Sequence, residues 1–87
     1  MELEQLRIFI AVAEAGGFSA GARKLYISHS TTSRAVAALE DELGVRLLER
    51  DNRLLGLTAA GEALLEEGKK LLEDAQKLEE KMRSGAF

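Results

Sequence analysis

Two helical patterns separated by a short turn fill residues 18–44, FSAGARKLYISHSTTSRAVAALEDELG. Ser19 is an N-cap residue type and predicts a short helix that runs to about Leu25. After the turn, Ser28 is predicted to cap a longer helix that reaches Leu43. Two helices joined by a tight turn are typical of a helix-turn-helix.

The second helix of this pair has two different faces. Val36, Leu39 and Leu43 recur at three- and four-residue spacing and are predicted to point into the core. Short or polar side chains occupy the opposite face: His29, Ser30, Ser33, Arg34, Ala37 and Ala38. Gly44 follows the last apolar residue and is predicted to end the helix. The helix therefore presents a small polar surface on the side away from the core.

Further elements flank the two predicted helices of the helix-turn-helix on both sides. Apolar residues at helical spacing predict a first helix over residues 2–15, which two glycines end. Apolar segments at 47–50 and 54–57 surround Asp51 and Asn52, which tolerate positive φ, so that these segments predict a β-hairpin. A two-stranded ribbon after a helix-turn-helix is a wing. The sequence thus predicts a mainly α winged helix-turn-helix.

The longest pattern begins at Thr58, a predicted N-cap, and continues to Ser84 with no helix breaker other than glycine. At 1.5 Å per residue such a helix extends about 40 Å, too far to fold back inside a small domain. Leucines recur every seven residues along this segment, at positions 57, 64, 71 and 78. Such an apolar repeat is typical of a helix that pairs with another. Two interleaved heptad positions are predicted to form a dimer interface: Leu57, Gly61, Leu64, Gly68, Leu71, Ala75, Leu78 and Met82.

Gly61 and Gly68 have two possible explanations within this helix. Each glycine lowers helix stability by roughly 1 kcal/mol relative to alanine. The first is that they are tolerated or that one of them marks a kink. The second is that both lie on the contact surface, where a missing side chain lets two helices approach closely. We favour the second interpretation because both share a register with Ala75.

Composition limits the class of protein. The chain has 87 residues, a net charge of −3 and no cysteine, which suits one small domain without disulfides. No apolar run approaches the roughly 20 residues that span a bilayer. We therefore expect a cytoplasmic protein with no membrane partner.

Catalysis is not predicted. Ser28 and His29 are neighbours on a helix and point about 100° apart, so they do not form a nucleophile–base pair. One histidine and no cysteine leave zinc without a ligand set, and no glycine-rich phosphate loop is present. We expect no enzyme activity, no metal and no cofactor.

The placement of charge favours DNA although the net charge does not. Five basic residues belong to the predicted helix-turn-helix and wing: Arg23, Lys24, Arg34, Arg50 and Arg53. The free N–H groups at the start of the helix after Ser28 suit it to phosphates and to groove entry. Because the basic groups are few, affinity is expected to be modest per subunit and to depend on dimerisation.

The chain resembles the N-terminal DNA-binding region of LysR-type transcriptional regulators. The most specific matching run comprises Ser33-Arg34, Leu39-Glu40, Leu43-Gly44 and Arg50. The resemblance implies a winged helix-turn-helix over residues 1–57 and a linker helix for dimerisation over residues 58–87. It also implies that the third helix enters the major groove, that the wing approaches the minor groove and that linker helices pair antiparallel.

The resemblance also implies roles for individual residues. Around the cap Ser28, base-reading candidates are His29, Ser30, Ser33 and Arg34, and phosphate-contacting candidates are Thr31 and Thr32. In the wing, Arg50 is expected to contact phosphate and Arg53 the minor groove. The alternative for Arg50 is a salt bridge with Glu49 or Asp51, and for His29 an exposed position without any contact.

The chain departs from the family pattern in several ways: Ala37 and Ala38 replace residues that are often basic, and Leu54-Leu55-Gly56 makes the wing less basic than usual. His29 and Ser30 stand where the family commonly has Gln and Pro, so the base preference is expected to differ. The family's effector-binding domain, the site of any small-molecule effector, is absent from these residues, which we expect to be an excised piece, the alternative being a natural short form.

The predicted function is sequence-specific binding of double-stranded DNA, with a homodimer reading an interrupted palindrome and a full-length protein that could form a tetramer. The alternative is a dimerisation module with the same fold and little DNA affinity, which the deficit of basic residues motivates.

Overall fold

The computed structural model describes residues 1–50 and 55–87, without the side chains of Arg50 and Leu55. The elements, in chain order, are α1 (Leu3–Ala15), α2 (Phe18–Leu25), α3 (His29–Leu43), β1 (Leu48–Arg50), β2 (Leu55–Leu57) and α4 (Ala59–Ser84). The predicted winged helix-turn-helix followed by a long helix is confirmed. The turn predicted at Asp51 and Asn52 lies outside the described residues.

The core forms where α1 crosses the helix-turn-helix. Leu6, Phe9 and Val12 of α1 are fully buried against Val36 and Leu39 of α3. Their three- and four-residue spacing places them on one face of each helix, which explains why the apolar periodicity predicted both elements. The outer face of α3 is thereby directed away from α1.

Two details of the predicted helix-turn-helix are wrong. Ser19 is not an N-cap: α2 begins one residue earlier, at Phe18, after Gly17, and no side chain caps it. Leu43 does not belong to the buried stripe but is 40% exposed. Leu43 is the last residue of α3 and adjoins left-handed Gly44, where the helix ends.

A buried carboxylate attaches the wing to α3. The side chain of Glu40 is almost completely buried, and its Oε2 accepts hydrogen bonds from the backbone N–H groups of Leu47 at 2.8 Å and Leu48 at 3.3 Å. β1 then pairs antiparallel with β2, with Leu48 opposite Leu57. Hydrogen bonds to a charged acceptor are among the strong ones, so Glu40 fixes where the wing starts.

The start of α4 is attached to the same point. The Thr58 side chain caps the helix by accepting a hydrogen bond from the N–H of Gly61 at 3.0 Å, and it donates to the carbonyl of Arg46. The N–H of Thr58 donates to the carbonyl of Leu47 at 3.1 Å. The direction in which α4 leaves the domain is therefore set by three hydrogen bonds around one threonine.

The two glycines of α4 pack inside the domain. A Cβ atom at Gly61 would overlap the carbonyl oxygen of Leu47, and one at Gly68 would lie 2.7 Å from Leu6 Cδ1. Both glycines are buried by this chain alone, so the interpretation that they let two subunits approach closely is wrong. Their missing side chains let α4 lie directly on α1 and on the start of the wing.

Candidate nucleic-acid interface

The start of α3 is held by hydroxyl groups. Ser28 Oγ accepts a hydrogen bond from the N–H of Thr31 at 3.1 Å, which confirms Ser28 as the N-cap. The same Oγ donates to Thr31 Oγ1 at 2.8 Å and lies 3.3 Å from Ser30 Oγ. Ser28, Ser30 and Thr31 are all exposed, so one end of α3 offers a compact group of hydroxyls to solvent.

Thr32 is not part of this exposed group. It is completely buried, and its hydroxyl donates to the carbonyl of Ser28 at 2.9 Å. The prediction that Thr32 contacts phosphate is therefore wrong. Thr32 precedes Val36 by four residues and Leu39 by seven, so it extends the buried stripe of α3 by one turn.

The outer face of α3 carries Arg34 among smaller side chains. Ser30, Arg34 and Ala37 are exposed at four- and three-residue spacing, and Ser33 is half-buried beside them. Arg34 forms no ion pair or hydrogen bond with any other residue that the structure describes. Its guanidinium therefore projects from a surface without bulky neighbours, with its hydrogen-bond donors open to a partner.

His29 makes a contact that the sequence analysis did not anticipate. Its ring centroid lies 5.9 Å from that of Phe18 at an interplanar angle of 55°. This tilted arrangement is favourable for aromatic pairs. His29 remains exposed, so the contact orients the imidazole at the first residue of α3 without burying it.

The basic residues of α2 lie in its last turn, shortly before the start of α3 in the sequence. Arg23 and Lys24 are exposed in the last turn of α2, and Lys24 Nζ is 3.7 Å from Glu14 Oε1. In the wing, the side chain of Arg50 and all of Arg53 lie outside the described residues, and Glu49 is exposed. Apart from Arg34, the described cations nearest in sequence to the hydroxyls of Ser28, Ser30 and Thr31 are thus those at the end of α2.

Sequence reasoning overlooked Tyr26 and Glu40. Tyr26 occupies the turn between α2 and α3 in left-handed backbone with 96% of its surface exposed. No residue type in the turn signals this conformation, because glycine or asparagine is the usual choice. Glu40 had a signal: it follows Val36 by four residues and thus borders the buried stripe of α3.

A second exposed surface runs along α4. The side chains of Leu71, Leu78 and Met82 are 43%, 59% and 52% exposed. Leu57, Leu64 and Ala75, which share the predicted repeat, are half-buried, and Leu57 and Leu64 pack against the core of this chain. We call Leu71, Leu78 and Met82 the α4 stripe; it follows one side of the helix beyond the domain.

In the described part of the chain, every helix is too short or too polar to cross a membrane. No group of three or more His, Asp or Glu side chains there is arranged to hold a metal ion.

The chain matches a known protein family and is similar to curated transcriptional regulators. The family model for "Bacterial regulatory helix-turn-helix protein, lysR family" matches residues 3–62. The HTH-type transcriptional regulator TcbR of Pseudomonas sp. (strain P51) is 48% identical over 86 residues, which are 99% of this chain and 29% of TcbR. TfdT of Cupriavidus pinatubonensis is 41% identical over 86 residues, which are 38% of its length. The chain therefore spans less than half of either curated relative.

Solved structures match over the whole chain. The crystal structure of a CbnR_DBD–DNA complex has a TM-score of 0.92 and 47% identity and covers 100% of both chains. The BenM_DBD complex with catB site 1 DNA has a TM-score of 0.94 and 37% identity and covers 99% of this chain and 96% of that one.

Proposed function

Because the chain belongs to the LysR family of bacterial regulatory helix-turn-helix proteins, we propose that it binds double-stranded DNA sequence-specifically as the DNA-binding domain of a transcription regulator. Both solved structures described above are DNA complexes. The proposed role needs no catalysis by this domain, and it places the protein in the bacterial cytoplasm, where the chromosome is.

Arg34 on the outer face of α3 carries the proposal. An α-helix fits the major groove when the side chains facing the bases are small enough to let its backbone approach. Ser30 and Ala37 satisfy this requirement on either side of Arg34. The guanidinium can then donate two hydrogen bonds to O6 and N7 of one guanine, which is the commonest specific contact in this groove.

Hydroxyls and free N–H groups at the start of α3 supply phosphate contacts in this proposal. Ser28 and Thr31 lie at the end of the helix that has a partial positive charge. Hydroxyl contacts to phosphate fix register but carry no base information. Base reading is assigned to His29, Ser30, Ser33 and Arg34, and wing contacts to Arg50 and Arg53, as the family resemblance implies.

We assign dimerisation to the α4 stripe. Leucine and methionine side chains exposed at heptad spacing are stabilised when a second helix covers them. An antiparallel pair of α4 helices related by a two-fold axis would carry two copies of α3 to one side of the dimer. Two recognition helices separated by about 34–36 Å, or a multiple of it, read an interrupted palindrome.

Fluorescence anisotropy with labelled duplexes tests the proposal. A binding site is first selected from a random duplex pool, and the selected and scrambled sites are then titrated at several salt concentrations. We expect tighter binding to the selected site and a negative slope of log affinity against log salt, because bound cations displace counterions. The absence of binding to any duplex at low salt would instead support the dimerisation module with little DNA affinity.

Substitutions at two arginines distinguish a specific contact in the groove from a general effect of positive charge on DNA affinity. Arg34→Ala is expected to weaken binding to the selected site by about 1–3 kcal/mol and to relax preference at one base pair. Arg83→Ala is the matched control, since Arg83 is exposed near the end of α4 and pairs with Glu79 at 3.0 Å. Equal effects of the two substitutions would contradict the assignment of Arg34 to a base.

A further inference from the structure

Tyr26 is placed where a side chain brings the isolated domain no benefit. Its φ of 58° makes it the only described non-glycine residue in left-handed backbone. Such backbone is unfavourable for any residue with a Cβ atom and more so for a bulky one. With 96% of its surface exposed, the side chain recovers nothing through packing.

Other helix ends in the chain meet the same requirement with glycine. Gly16, Gly44 and Gly85 follow α1, α3 and α4 in left-handed backbone, and each donates its N–H to the end of its helix. Tyr26 does the same after α2, where its N–H donates to carbonyls of the last turn. The cap thus needs only the backbone, so the tyrosine side chain requires a separate explanation.

The surroundings of Tyr26 favour an anion. One residue separates Tyr26 from Lys24 on one side and from Ser28 on the other, so its Cα lies within about 7.6 Å of each of their Cα atoms. Lys24 is a cation that stays exposed although its Nζ lies 3.7 Å from Glu14 Oε1, and Ser28 begins the end of α3 that has free N–H groups. Among the described residues, no side chain forms a hydrogen bond or ring contact with Tyr26.

From this position we infer that Tyr26 contacts the DNA backbone at the edge of the groove that α3 enters, its hydroxyl donating to a phosphate oxygen; the inference rests on the proposed function. Tyrosine hydroxyls are among the groups that donate to phosphates in protein–DNA complexes. The exposed ring can lie against the neighbouring sugar. Because the contact is to phosphate, it adds affinity for every DNA sequence. Because tyrosine is uncharged, the contact releases no counterion.

The test is anisotropy titration of the whole chain with Tyr26→Phe, Tyr26→Asn and Lys24→Gln on selected and scrambled duplexes. Tyr26→Phe removes only the hydroxyl and is expected to weaken binding to both duplexes by the same factor, about three- to tenfold, with the salt slope unchanged. Lys24→Gln is the charged control and should reduce the slope by about one. Tyr26→Asn, which tolerates left-handed backbone, should weaken binding at least as much while the melting temperature stays equal or rises.

Three results would overturn the inference and leave the proposed function standing. They are wild-type affinity in Tyr26→Phe, a loss confined to the selected duplex, and a fall in melting temperature in Tyr26→Asn, which would make the residue structural. Wild-type affinity together with lost transcription activation in the full-length regulator would assign Tyr26 to a protein partner. If the unmodified chain binds no duplex, the proposed function itself fails and the role of Tyr26 fails with it.

Discussion

The two halves of α4 carry one apolar repeat but lie in different surroundings. In residues 59–70, Gly61 and Gly68 are buried against the wing and α1 of the same chain. In residues 71–84, Leu71, Leu78 and Met82 are exposed. A heptad repeat therefore identifies an apolar face of a helix without identifying what covers it.

Glycine distinguishes the two halves. A close approach of α4 to its neighbours is possible only where the side chain is missing, and both internal glycines lie in the half that packs on the domain. In the second half the equivalent positions are Ala75 and Met82, and Leu71 and Leu78 continue the neighbouring leucine register. These side chains suit packing between helices. The first half thus attaches α4 to the domain, and we assign the second to a partner subunit.

Leu71→Asp is expected to have the largest effect, and to act on association. In a paired helix it would bury an uncompensated charge in each subunit, a change that costs about 3–5 kcal/mol. We expect the dissociation constant of the dimer to rise at least about 100-fold, measured by sedimentation equilibrium. Because Leu71 is 43% exposed in the single chain, the helical circular dichroism of the subunit should remain.

Gln76→Asp is the control for Leu71→Asp. Gln76 is exposed on the same half of α4 and gains the same charge, but it lies outside the α4 stripe. It should leave the dimer intact. An intact dimer in Leu71→Asp, or equal dissociation in both variants, would remove the α4 stripe from the dimer interface.

Periodicity was sufficient to predict the fold but not every exposed residue. The buried stripes of α1 and α3 consist of ordinary apolar side chains at helical spacing, and Ser28, Thr58 and Gly44 are standard caps, so the helix-turn-helix and α4 could be located from sequence. Thr32 is the instructive failure. Its residue type indicated a polar contact, while its position in the heptad of Val36 and Leu39 indicated burial, and position prevailed.

Contacts between elements distant in sequence could not be predicted from local patterns. The carboxylate of Glu40 reaches the N–H of Leu47, and the backbone at Gly61 reaches the carbonyl of the same residue. Each depends on the angle between elements, which periodicity does not specify. The interpretation of Gly61 and Gly68 failed for this reason: the need for close approach was correctly inferred, but the neighbouring element was not.

Gly61→Ala is the second prediction and tests the half that packs on the domain. Alanine favours the helix by roughly 1 kcal/mol, but its Cβ would overlap the carbonyl of Leu47, which is held by its hydrogen bond from Thr58. Overpacking typically costs about 1–3 kcal/mol, so after the gain in helix propensity we expect a net loss of up to about 2 kcal/mol in unfolding free energy. Urea unfolding in the monomeric Leu71→Asp background removes any contribution from association.

Gly68→Ala provides a comparison for Gly61→Ala in the same unfolding experiment. Its Cβ would meet the tips of Leu6 and Ile10 rather than backbone, and side-chain tips can shift. We expect a smaller loss than for Gly61→Ala, because the gain in helix propensity offsets more of it. Stabilisation by both alanines would mean that α4 does not lie closely on the domain.

The smallest expected effect belongs to the ion pair that joins α4 to α1. Lys69 Nζ lies 3.1 Å from Glu14 Oε2, and both side chains are partly exposed. Exposed pairs contribute about 0.2–1 kcal/mol and are screened by salt, so Lys69→Ala should lower the unfolding free energy by about 0.5 kcal/mol at low salt and by less at high salt. Arg83→Ala is the control in the other half, since its pair with Glu79 lies within α4 and attaches it to nothing else. A double-mutant cycle of Lys69→Ala with Glu14→Gln isolates the pair, and a coupling energy of zero at low salt would show that this ion pair does not help to hold the first half of α4 on the domain.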